Sequence, residues 1–444
     1  MSVGVFAAPA RRVITRATGE APSGTRRGGI ERFALVSMAA SFVAQFALRP
    51  SGPGNSSPVD VLVLVSILAT AIWASSTRLP LRAPYVLGVA LMVIGGAIAG
   101  VTGPMPGTAP ETLAIDLLLI TWCTTIVAVA RSPRSLTVLV RAWAYSAVAC
   151  AGLLVLGSLA GITAITAVRA REGNREMFTF GDPNYAATYW VLSIFVVHAC
   201  RAPRSWPLRL CSYALLVWAL LLSESNGGVV ELAVGCGAIF LLSVLRRYGP
   251  AAAIALLLIV GGSAAMTLQL VPFSSMQTWA RGSNNALLVN SLGRSKDSSG
   301  QRSLLVTEAM ALYSSDGWLG SGPATTKPLL QNRSYAYAKE THDDYLAALV
   351  ERGPLGVLGL MFFVASAGWR GGQLVRAAHN GPEDGVLPRP AGLVAAMLAT
   401  SAAATYYEVL HFRFIWALLA LVAAYAWQCT EARSPRAAGK GSRA

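Results

Sequence analysis

The sequence predicts an all-α polytopic membrane protein with about 12 transmembrane helices, and three observations carry that reading. Of its 444 residues 54% are hydrophobic and only 13% charged, against about 25% charged in soluble domains. Apolar runs recur at lengths near the roughly 20 residues that a bilayer-spanning helix requires. Segments such as "VDVLVLVSILATAIWA" are apolar on every face, where a soluble surface helix would be amphipathic.

The formal charge of +15 raises the question of a nucleic-acid partner, and the positions of the basic residues argue against one. They fall in short loops at alternate helix ends: "SSTRLPLRAP", "RSPRS", "RAPRSWPLR", "RRYG" and "RGGQLVRAAHNGPEDGVLPRP". The intervening loops "SGPGNSSP" and "TGPMPGTAPE" carry no Lys or Arg. This is the positive-inside pattern, which accounts for most of the charge without an anionic partner.

With the Arg-bearing loops on the cytoplasmic side, the spans fall at 33–48, 58–76, 84–102, 112–130, 137–158, 184–200, 207–223, 226–245, 249–271, 347–369, 391–407 and 411–430. Residues 1–30, rich in Arg, Gly and Ala, read as a disordered basic cytoplasmic tail, and 431–444 as a second basic tail. The stretch between them, 31–430, is a single transmembrane domain. All six cysteines lie within or at the ends of apolar runs, with no CxxC, and read as small buried hydrophobes.

Two external segments break the rule that outer loops are short and uncharged: 159–183, with Arg169, Arg171 and Arg175, and 272–346 between the ninth and tenth spans. In the longer one, "QRSLLVTEAMALYSS" places Leu304, Leu305, Ala309 and Leu312 at helical spacing. The Gly-rich turn "DGWLGSGP" follows, then a second polar helix leading into the tenth span. Such a segment is expected to lie on the outer membrane surface and cap the bundle.

Ionisable residues at or beside membrane depth are costly, so each is a functional candidate. They gather on the outer face: Arg169, Arg171, Arg175, "FTFGDPNYAATYW", "SESNGGVVE", "KDSSGQR", "ETHDDY" and "YYEVLHFR". His342 opens a helix whose dipole favours its neutral form, as a general base needs; a polar cap at the membrane interface is the plainer alternative. Asp343 and Asp344 either favour that helix terminus or hold a divalent ion. Adjacent helical positions diverge by about 100°, so both reach one ion only over irregular backbone. Outer arginines suit phosphate through bidentate, permanent charge, with Arg302 and Arg175 foremost; contact with lipid headgroups is the alternative for each. Glu231 and Arg413, just inside their spans, are expected to face the bundle interior, in an ion pair or a catalytic role.

The order "FGDPNYAATY", "SESNGG", "DSSGQR", "DGWLGSGP", "THDDYLAALVERGPLG" resembles the O-antigen ligase and Wzy-type polymerase superfamily over about 178–369, together with "HFRFIWALLAL". The resemblance implies an inverting, metal-independent glycosyltransferase of the GT-C type, needing no cofactor. It would move a glycan from an undecaprenyl-diphosphate carrier to a sugar hydroxyl on the outer face of the bacterial cytoplasmic membrane. On that resemblance His342 is the base and Arg302 the loop arginine on the diphosphate. Asp182 and Asn184 are structural, and Glu351, Gly353 and Gly356 close the signature. Where the family often has Ser-Arg-Gly, this chain has Ser225-Asn226-Gly227, so either Arg175 of the preceding outer loop supplies the charge or the donor is bound differently. Arg175, Asn226, Arg169, Arg171, Asp343 and Arg413 are the expected substrate-binding set, with no metal ligand.

The implied partners are a polyprenyl-diphosphate-linked donor, a glycan acceptor, the lipid bilayer and other envelope-polysaccharide assembly proteins. Polymerase and ligase are not separated by sequence. A transporter or lipid flippase is the alternative from another class. It would place ionisable residues near the midplane of two similar halves, which this chain does not show.

Overall fold

The structure is a computed structural model and describes residues 25–47, 56–168, 175–270, 273–284, 289, 293, 297–333, 343–380 and 387–431. The described residues are overwhelmingly helical. The first five helices are α1 (Thr25–Val43), α2 (Val59–Thr77), α3 (Val86–Thr102), α4 (Ala109–Val129) and α5 (Pro133–Leu159). After the short α6 (Thr163–Thr166) come α7 (Pro183–Cys200), α8 (Trp206–Leu222) and α9 (Asn226–Leu270). Then follow α10 (Phe273–Arg281), α11 (Asp297–Asp316), α12 (Thr326–Asn332), α13 (Asp344–Asn380), α14 (Ala391–Ala403) and α15 (Arg413–Glu431).

Among the described residues α2, α4, α5, α9, α13 and α15 are long and apolar enough to cross a membrane, and α3, α8 and α14 are shorter apolar helices. The apolar patterning follows from position. In the second arm of α9 the consecutive residues Leu257, Leu258, Ile259 and Val260 are all exposed, so no face of that arm is reserved for a core. Conversely, α7 and α15 are buried around almost their whole circumference and form the centre of the bundle. Trp190, Tyr189, Phe180 and Phe414 make edge and tilted ring contacts there.

Two elements are broken by a glycine followed by proline. In α9 the arms 226–248 and 250–270 meet at Gly249 (φ 85°), so the expected spans 226–245 and 249–271 are the two arms of one element. In α13 the break is at Gly353 (φ 64°), inside the expected span 347–369. The reason is a backbone crossing. A side chain at Gly353 would bring its Cβ to 2.5 Å from the carbonyl oxygen of Leu319, in the "DGWLGSGP" turn. The α3–α13 contact is equally close, since a Cβ at Gly88 would lie 2.8 Å from the Gly359 oxygen.

The connections segregate to two ends, as the alternation of basic loops predicts. At one end Arg82 pairs with Glu431 (2.5 Å), Arg131 donates to the Pro80 carbonyl, and the Arg389 amide donates to Ala199 O (3.1 Å). At the other end Ser57 Oγ donates to Ala47 O (3.0 Å), Thr108 Oγ1 to Pro323 O (3.3 Å) and Tyr406 Oη to Gly227 O (2.8 Å). On this second end α11 packs on α12 through buried Leu305, Ala309, Leu312, Leu329 and Leu330, while Leu304 turns outward and is 40% exposed.

Candidate functional site

The site grows from the N-terminus of α13. Asp343 caps the helix: its Oδ1 accepts from the amides of Tyr345 (2.8 Å) and Leu346 (3.1 Å). Burial pushes the Asp343 carboxyl above the usual carboxylate range, against those two amides, which favour the charged form. Asp344 points elsewhere. Its Oδ2 accepts from the Val409 amide (2.8 Å), its Oδ1 from the Leu410 amide (3.4 Å), and its own amide donates to Ala404 O (3.0 Å). The neighbouring carboxylates therefore serve different backbones, as the 100° step along a helix predicts. Among the described residues no group of three or more His, Cys, Asp or Glu is placed to hold a metal ion.

Two turns on, Glu351 accepts from the Ala324 amide (2.8 Å), Thr326 Oγ1 (2.8 Å) and the Thr326 amide (3.3 Å). The Ser321 and Gly322 amides donate to the carbonyls of Val350 and Glu351 (2.9 and 3.0 Å). The "ERGPLG" and "GSGP" motifs are thus two halves of one joint. Arg352 leaves the joint on the opposite side, to an ion pair with Asp116 of α4 (2.7 Å), and its Nη1 donates to Met92 O of α3 (3.4 Å).

A second cluster forms at the start of α7. Asp182 caps the helix by accepting from the Asn184 amide (2.7 Å), which frees Asn184 Oδ1 to accept from Arg175 Nη2 (2.5 Å) and Ser225 Oγ (3.0 Å). Arg175 Nε donates to Ser223 O (3.0 Å), and the residue is 7% exposed. The DPN motif, the Ser225-Asn226-Gly227 turn and Arg175 are therefore in direct contact.

The connection 404–412 between α14 and α15 joins the two clusters. Tyr406 bonds Gly227 on one side, while Val409 and Leu410 are gripped by Asp344 on the other. The Tyr185 ring, next to Asn184, meets His411 edge-on at 5.9 Å. At the end of this connection Arg413 makes a bidentate pair with Asp60 (Nε–Oδ1 2.8 Å, Nη2–Oδ2 2.6 Å) and is 1% exposed. Glu231, fully buried, accepts from Thr188 Oγ1 (2.8 Å).

Two cavities open beside the connection. The larger, about 410 Å³, lies between α3, α4, α12, the first arm of α13 and His411, with Asp116, Arg352, Glu351, Lys327 and Glu408 among its lining groups. The smaller, about 190 Å³, is walled by apolar residues of α13, α14 and α15. Both share Asp344 and Leu410. Among the described residues the buried His411 Nε2 has no hydrogen-bond partner. Burial and the adjacent Arg413 charge push that imidazole down to about 3, so it is neutral at physiological pH.

Of the residues expected from the sequence, Arg175 and Asn226 come together at one turn. Asp343 lies at the mouth of α13 and Arg413 in an ion pair. His342, Arg169 and Arg171 lie outside the described residues, and Arg302 sits in the first turns of α11, with its side chain outside the description. The sequence reading did not single out His411, Asp116, Arg352, Lys327, Glu408 or Asp60. Glu408 and His411 lie within "YYEVLHFR" and Arg352 within "VERGPLG", but nothing along the chain pairs them with Asp116, Lys327 or Asp60.

Residues 211–363 match a family model described as O-Antigen ligase. That match supports the O-antigen ligase and Wzy superfamily. It covers about a third of the chain and takes in the 225–227 turn, α11, the Gly-rich turn and the whole "HDDYLAALVERGPLG" signature. The DPN motif and the 404–413 connection lie outside it. Comparison with curated proteins finds no match. The family indicates a glycosyltransferase-like, glycan-processing membrane enzyme.

Proposed function

We propose that this chain is an inverting, metal-independent glycosyltransferase. It transfers or polymerises undecaprenyl-diphosphate-linked oligosaccharide into a surface polysaccharide, on the outer face of the bacterial cytoplasmic membrane. The observation that carries the reading is the pair of cavities at the start of α13. One is rimmed by polar groups and the other apolar, and they share Asp344 within the matched signature. The reaction needs that juxtaposition: an apolar surface for the polyprenyl chain beside a polar chamber for a sugar.

The reaction asks for two things. The acceptor hydroxyl must lose its proton to a base as its oxygen attacks the anomeric carbon, while the bond to the diphosphate breaks with inversion. We assign the base to His342, the residue before the Asp343 cap. The departing diphosphate needs fixed positive charge, which we assign to Arg302 and, at the turn where the family carries arginine, to Arg175. The reading implies twelve spans with both termini cytoplasmic.

The test is a transfer assay with the purified chain and lipid-diphosphate-linked oligosaccharide, comparing wild type, His342→Ala and Arg302→Ala, with and without EDTA. Product from wild type in EDTA, lost in both folded variants, is the expected result. A ladder of lengthening products marks a polymerase, and a single transferred glycan a ligase. Absence of product, with lipid-linked sugar changing leaflet in proteoliposomes, would make the chain a flippase.

A further inference from the structure

We infer that the larger cavity is the subsite for an uncharged sugar ring of the acceptor, and that His411 Nε2 is the fixed hydrogen-bond partner of one of its hydroxyls. The inference rests on the transferase reading and names what one part of that site selects.

Three features of the cavity converge. The first is size: about 410 Å³ falls within the range of roughly 300–1,000 Å³ typical of small-molecule sites. The second is charge. Among the described residues the titratable groups facing it are the carboxyls of Asp116, Asp344, Glu351 and Glu408, the cations of Lys327 and Arg352, and His411. Arg352 is held by Asp116 at 2.7 Å, so the balance opposes an anionic guest such as a diphosphate or a uronic acid. The third is the imidazole. His411 borders the cavity, its buried Nε2 has no hydrogen-bond partner among the described residues, and a buried polar atom left in that state is costly. A sugar hydroxyl both donates and accepts, so it satisfies a neutral imidazole in either tautomer. Trp416 closes one wall: its indole N–H donates to Leu410 O (2.6 Å), and its ring packs on Phe363 and is 3% exposed, so it bounds the cavity without offering a stacking face.

His411 is also placed to report on the rest of the site. Its ring touches Tyr185 of the Arg175 cluster, and its chain neighbour Leu410 is held by Asp344. A ring seated here lies beside Asp344 at the start of α13, two residues along the chain from the proposed base.

The experiment is saturation-transfer NMR on the full chain in nanodiscs. The probes are the methyl glycosides of glucose, galactose and mannose, with glucuronic acid and inorganic diphosphate as charged controls. Wild type is compared with His411→Leu and with Thr112→Phe, which fills the cavity from the α4 wall and keeps the test open if the first variant fails to fold. The expected result is transfer to at least one neutral glycoside, reduced about tenfold in both variants, the equivalent of one lost hydrogen bond to a buried group. In the transfer assay the loss in His411→Leu falls on acceptor KM, not kcat. Equal saturation in the variants, stronger binding of the charged controls, or no neutral glycoside bound would overturn the assignment. Sugar binding abolished by both variants in a chain that transfers nothing keeps the subsite and sinks the transferase; transfer with unchanged acceptor KM in His411→Leu does the reverse.

Discussion

Around Arg175 each observed contact closes on another: Arg175 holds Asn184 and Ser223, Asn184 accepts from Ser225, and Asp182 caps the helix that carries Asn184. Around His411, across the Tyr185 ring, a buried nitrogen has no partner among the described residues, and the residue borders about 410 Å³ of space. Apart from the Arg175 charge that the proposed reaction uses, the first region has the character of a joint, and the second that of a receptor. Substitutions should therefore divide between them, with stability lost in joints and ligand binding lost at the receptor.

The largest effect should come from the Arg413–Asp60 pair, which tests whether Arg413 belongs to the joints or to substrate. Arg413→Ala leaves Asp60 in a protected site without its bidentate partner, which costs about 3–5 kcal/mol and should appear as a lower unfolding temperature in detergent. The double variant Asp60→Leu with Arg413→Met should recover most of that loss. If it recovers stability but not transfer, Arg413 acts on substrate and the division fails at this residue.

Next is Gly353→Ala. The left-handed backbone and the crossing with Leu319 O should together cost about 2–3 kcal/mol, measured as loss of monodisperse protein after mild heating. Gly237, with open space around it, is the control: alanine there should not destabilise the chain.

The pH dependence sharpens the receptor side. The folded His411 sits at about 3 against an ordinary 6.5, so between those values the unfolded chain binds the additional proton. Its contribution to stability is therefore fully present above pH 6.5 and declines as the pH falls, by up to about 1.4 kcal/mol per pH unit. A thermal-stability profile from pH 7.5 to 4.5 should slope downward on the acid side, and His411→Leu should flatten it. An unchanged slope in the variant would assign the acid sensitivity to other groups.

The smallest effect is expected at Asp343. Loss of the cap in Asp343→Ala should cost about 1 kcal/mol, with Asp343→Ser restoring most of it. Transfer that falls far more than stability in both variants would mean that the carboxylate touches substrate.

Most helices were legible because apolar length and the distribution of arginine are local properties of the chain. The expected span 58–76 and the helix Val59–Thr77 differ by a single residue at each end. The breaks within elements were less legible: the Gly-Pro pair at 353–354 is visible, but the Leu319 backbone that demands it lies in another segment. The same limit applies to the site. Asp182 reads as a helix cap from its own neighbours, whereas Asp116 and Arg352 acquire meaning only when α4 and α13 are side by side. His411 looks ordinary in "YYEVLHFR", and its distinction comes from what the fold fails to place against it.

The grip of Asp344 on Val409 and Leu410 has a mechanical consequence. The first arm of α13 ends at a glycine and begins at that grip, so it works as a strut with a hinge at one end and a clamp at the other. Because the Gly353 end is itself bonded to the 321–326 turn, the strut ties that turn to the connection that carries Tyr406 and His411.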